Sequence, residues 1–106
     1  MMVQHPRLAW DAARIVVSTS ESHAHFVWLS DQVRLLLGPS YQQGMADTRH
    51  RLIRSEPHAR HVETGAWRLR FDELLRERPD LANPLRRLVN EAGGRQVRPG
   101  PYWPIN

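Results

Sequence analysis

The sequence predicts an all-α fold of three to five helices that includes a C-terminal antiparallel helix pair and is followed by an extended tail. Two observations carry this. Apolar residues recur at helical spacing in several stretches, and glycine or proline marks the ends of those stretches. The helical domain is expected over residues 1–94 and the tail over 95–106.

The first segment runs from Leu8 to about Ser18. Leu8, Ala12, Ile15 and Val16 recur at helical spacing, with Ala9 and Ala13 beside them. Its end, RIVVSTS, also has strand character, because β-branched residues and serines lose freedom in helices. The flanking alanines favour helix. In the second segment Phe26, Leu29, Val33, Leu36 and Leu37 fall on one helical stripe. Ser20 or Ser22 is placed to cap its start, and Gly38-Pro39 stops it. Residues 8–37 form one helix or two according to what STSES does, and the pattern leaves both open.

YQQG, residues 41–44, reads as loop. Residues 45–56 form a polar helix whose large apolar residues are Met45, Leu52 and Ile53, ending before Pro57. So polar a helix is expected to bury little and to serve as a surface connector or arm. The C-terminal half is clearer. Trp67, Phe71, Leu74 and Leu75 form one stripe, and Leu85, Leu88, Val89 and Ala92 form another behind Asn83-Pro84, a helix cap followed by proline at the first helical position. Gly93-Gly94 ends it. Residues 62–92 thus read as two helices around the short link PDLAN, a length that favours antiparallel neighbours. Trp67, Phe71, Leu74, Leu85 and Leu88 are the expected core.

The string WRLRFDELLRERPDLANPLRRLV, residues 67–89, resembles a segment of small helical proteins of actinobacteria, and SDQVRLLLG, residues 30–38, resembles the end of their first long helix. The resemblance covers about a third of the chain. It implies a helical fold and a high-GC host and brings no activity or catalytic residue with it.

Composition sets limits on function. At 106 residues the chain is one domain by length. Its apolar share of 41% suggests a small core or one completed by a partner, so amphipathic helices pairing across a two-fold axis, a homo-oligomer, are expected. With no cysteine there is neither a disulfide framework nor a thiolate metal site. No apolar run is long enough to span a bilayer, and the N-terminus lacks a signal-peptide pattern; cytoplasmic is the default. The net charge is +4 and all fifteen basic residues are arginine. Arginine codons are GC-rich, which accounts for the missing lysine more simply than a nucleic-acid partner does.

No motif carries recognisable chemistry, and neither a cofactor nor a catalytic residue is expected. Of the six histidines, His58 and His61 share a helical face while His23 and His25 diverge, and no HExxH is present; solvated surface histidines, with no metal, are the reading. Ser18, Ser20 and Ser22 lie near His23, His25 and Glu21 in sequence, but a catalytic triad is a geometry, not an adjacency. Asp72-Glu73 reads as a solvated pair. A membrane-surface helix is set aside, because Phe26 to Leu29 beside Asp31 suits a buried helix better. Nucleic acid remains an alternative through Arg49, Arg51 and Arg54, spread around a helix and interrupted by Asp47 and Glu56.

The tail is the remaining lead. In RPGPYWPIN, residues 98–106, prolines hold the backbone extended around Tyr102, Trp103 and Ile105. Large, rotamer-poor aromatics are typical of binding hot spots. The expectation is a non-enzymatic protein–protein interaction module whose partner-binding residues are Tyr102, Trp103 and Ile105. Two alternatives stand beside it: the tail folds back so that Trp103 and Ile105 plug the helical domain, or the chain is a precursor whose C-terminal PYWPIN is enzymatically modified.

Overall fold

Small side chains on the first helix let the others close around it. The computed structural model describes residues 6–54 and 59–96. Five α-helices follow in order: α1 Pro6–Thr19, α2 His23–Leu37, α3 Pro39–Arg54, α4 Ala59–Glu77 and α5 Ala82–Gln96, with a 3-10 turn at Pro79–Leu81. There is no strand among the described residues. Ala9, Ala12 and Ala13 are fully or almost fully buried on α1, where short side chains allow close approach of neighbouring helices. α4 packs most closely against α1, α5 lies against α1 and α2, and α3 lies mainly against α2. The two helices read as a pair, α4 and α5, therefore meet α1 and the 3-10 turn between them more than each other.

The open question at STSES resolves as two helices. Thr19 and Ser20 turn their hydroxyls back to the Val16 carbonyl, at 2.9 and 3.2 Å, which offers the backbone an alternative to continuing the helix. Ser22 then caps α2 by accepting from the His25 amide. The expected core is present: Trp67, Phe71 and Leu85 are buried, and Leu74 and Leu88 are half-buried against the same cluster.

Four local expectations are corrected. YQQG is helix, not loop, because Gly38-Pro39 is both a stop and a start. Gly38 takes φ 102° and its N–H donates to the Arg34 carbonyl to close α2, while Pro39 opens α3 where its missing N–H is not needed. α3 is not a mere surface arm either. Met45 and Thr48 are both 0% exposed, and Tyr41 and Leu52 pack against the core. Its polarity misled because the buried Thr48 hydroxyl has partners. At the far end, α5 runs through Gly93-Gly94 to Gln96 instead of stopping. Ala92 is buried there, and the Arg95 guanidinium lies 4.0 Å from the centre of the Trp28 ring, so tertiary contact holds a turn that propensity alone would release. The turn Pro79–Leu81 also runs straight into α5, leaving Asn83 inside the first turn, where it accepts from Arg86, rather than at the cap.

Candidate functional site

α3 and α4 meet through polar side chains, and the seam is built from one turn of each. Thr48 of α3 stands opposite Glu63 and Trp67 of α4, four residues apart and so on one helical face. The Trp67 indole N–H donates to Thr48 Oγ1 at 2.8 Å, and that hydroxyl donates to Glu63 Oε1 at 3.2 Å. Arg51, one turn beyond Thr48, places its guanidinium on the carboxylate: Nε to Oε2 at 2.6 Å and Nη2 to Oε1 at 3.0 Å. Glu63 is buried, which a carboxylate tolerates when bidentate pairing and a hydroxyl satisfy its oxygens. The hydrogen bond to Glu63 outweighs desolvation and raises the Arg51 pKa above its ordinary value, so the cation is secure. Both Glu63 oxygens are engaged, and the group acts here as a structural acceptor.

A cleft of about 160 Å³ opens beside this seam, between Gly44, Asp47, Ala66 and Arg70. Arg70 lies over the Tyr41 ring at 4.1 Å and the Trp67 ring at 4.9 Å, and donates to the Ser40 carbonyl. Gly44 makes room for it: a β-carbon there would come within 2.4 Å of Arg70 Nη1 and 3.2 Å of the Trp67 ring.

The residues singled out from sequence fall as follows. Tyr102, Trp103 and Ile105 lie outside the described residues, as do His58 and Glu56. Arg49 stacks over Phe26 at 4.9 Å and meets His23 Nδ1 at 3.1 Å; Arg51 is held by Glu63; Arg54 is exposed. Two of the three arginines considered for nucleic acid are thus engaged within the fold. Ser18 and Ser20 donate to backbone carbonyls and Ser22 caps α2, while Glu21 pairs with Arg60. His61 is exposed. Asp72 pairs with Arg68 at 3.2 Å, and Glu73 is exposed. Among the described residues no three or more histidine, aspartate or glutamate side chains gather as a metal site would require, and no helix is long and apolar enough to cross a membrane.

Sequence reasoning missed a second face on α4. Opposite the buried stripe of Trp67, Phe71 and Leu75, Val62 and Leu69 stand 65% and 59% exposed, with Gly65 and exposed Ala66 between them. The positions 62, 65, 66 and 69 repeat the i, i+3, i+4, i+7 pattern of an apolar helix face. That signal was available, but the stronger aromatic stripe drew the reading. No family model, curated protein or solved structure matches the chain.

Proposed function

We propose that the chain is a non-enzymatic protein–protein interaction module whose C-terminal residues Tyr102, Trp103 and Ile105 dock on a partner protein. The observation that supports this most is a core already drawn from all five helices. The apolar gap between Ala12, Val16, Leu29, Phe71 and Leu85 holds about 10 Å³ of free space, room for roughly one water and none for an indole. The sequence adds Tyr102, Trp103 and Ile105 among prolines, and rotamer-poor aromatics beside residues that restrict the backbone lose little entropy when they bind. The Glu63 network fits the same reading, since its carboxylate is committed to holding α3 on α4.

Comparing the full chain with one ending at Gln96 tests the reading. Equal urea midpoints, together with a captured protein that is lost in the Tyr102→Ala/Trp103→Ala variant, are the expected result. A truncated chain that melts markedly lower would show instead that the tail finishes the core.

A further inference from the structure

We infer that the groove between α3 and α4, beside the Thr48–Glu63 network, is a binding site for a free acidic α-amino acid, glutamate or aspartate. The inference goes beyond the tail reading and does not depend on it. The cleft of about 160 Å³ runs into a shallower trough of about 400 Å³ along the outer face of α3, and Asp47 and Arg51 line both. Together they offer the volume of a small-ligand site. Small residues keep the groove open, Gly44 on the α3 wall and Ala66 on the α4 wall. At Gly44 the small size is needed, since a β-carbon would meet Arg70 Nη1 and push that guanidinium away.

The lining selects the ligand. The guanidiniums of Arg51, Arg54 and Arg70 stand against the carboxylates of Asp47 and Glu63. With His50 neutral the balance is a single positive charge, and an amino acid with an acidic side chain carries a single negative charge at neutral pH. The contacts within the fold leave matching hydrogen-bonding capacity. Arg70 spends Nη2 on the Ser40 carbonyl and Arg51 spends Nε and Nη2 on Glu63, so Nη1 of each is open among the described residues. Asp47 accepts from Gln43 with Oδ1 and keeps Oδ2. Gly44, beside Arg70 Nη1, and Asp47 are one turn apart on α3, about 4.5 Å along its axis. That span lets one α-carbon present its carboxylate to Arg70 and its ammonium to Asp47. The side chain then runs over Ala66 toward Arg51 and Arg54, where guanidinium donors meet a second carboxylate. A simple anion would set its charge against Asp47, and a simple cation would set its charge against Arg70. The groove is open to solvent and these charges are screened, so binding is weak.

An NMR titration of the full chain with L-glutamate tests the inference, read at the Trp67 indole N–H, which donates to Thr48 in the cleft wall, and at the Gly44 and Asp47 amides. The expected result is saturable shifts with a Kd of about 1 mM. Glutarate, which lacks the ammonium, and L-glutamine, which lacks the second carboxylate, should each bind about tenfold more weakly, the loss expected of one charge-assisted hydrogen bond. Asp47 is exposed, so Asp47→Asn should keep the native circular dichroism. That variant should lose L-glutamate by about tenfold yet bind glutarate at least as tightly as the native chain, a split that general damage to the fold would not produce. Shifts that fail to saturate by about 20 mM, or that sodium chloride reproduces at equal ionic strength, would overturn the inference. So would equal binding of L-glutamine, or an Asp47→Asn chain that prefers L-glutamate over glutarate as the native one does.

Discussion

α4 is held on one side by α1 and on another by α3, and the two contacts use different physics. Against α1 it shares an apolar cluster in which Ala9, Ala13, Trp67 and Phe71 are all almost fully buried. Such a contact is strong, non-directional and tolerant of small shifts. Against α3 it relies on Thr48, Arg51, Glu63 and the Trp67 N–H, where geometry must be right for any gain and a missing partner leaves a buried polar group exposed to its full penalty. The first contact provides stability; the second fixes how α3 sits. Trp67 belongs to both, ring in the cluster and N–H in the network.

Breaking the apolar side should have the largest effect. Phe71→Ala removes a 1%-exposed ring and is expected to destabilise by about 3–5 kcal/mol in urea unfolding, a large share of a small domain's total. Breaking the polar side should be milder. Glu63→Gln is expected to lower stability by about 1–2 kcal/mol, since Arg51 is half-exposed and recovers water, and the loss should be non-additive with Arg51→Ala in a double-mutant cycle. Additivity would mean that the four residues do not act as a unit. Two of the helical glycines, Gly65 and Gly44, sharpen the contrast. Gly65→Ala should stabilise by about 0.5–1 kcal/mol, because nothing surrounds it. Gly44→Ala should recover less or turn unfavourable, as Arg70 must leave the Tyr41 and Trp67 rings. The smallest effect belongs to Arg78–Asp80, wholly on the surface. The hydrogen bond from Arg78 holds the Asp80 carboxyl below its usual pKa. A lowered folded pKa means that stabilisation is present above the ordinary aspartate pKa and fades as pH falls through the folded value. Asp80→Asn should therefore leave neutral-pH melting almost unchanged and flatten only the acid limb, with salt mimicking the substitution.

The same contrast explains what could be read from the sequence. Trp67, Phe71 and Leu85 were legible as core because apolar spacing is a local property of the chain. Met45 and Thr48 were not, because a polar helix looks solvated until Glu63 and Trp67, fifteen and nineteen residues away, supply partners for the hydroxyl. Gly93-Gly94 misled for a related reason: Arg95 over Trp28 is a long-range contact that overrides a local stop. The arginines likewise read as a charge count. In the structure Arg49, Arg70 and Arg95 lie over Phe26, Tyr41 and Trp28, covering ring faces that a lysine would cover less well.

The one-residue joint at Gly38 has a consequence for how the chain reaches this state. α2 and α3 are consecutive and packed on each other, so their pairing closes almost no loop and should form early, within the first collapse. α1 must wait for α4, roughly forty residues downstream, and that closure carries the larger entropic penalty. The kinetic barrier should therefore respond to substitutions at the α1–α4 contact, while a β-branched residue at position 38, strained at φ 102°, should slow the early corner as well as weaken it.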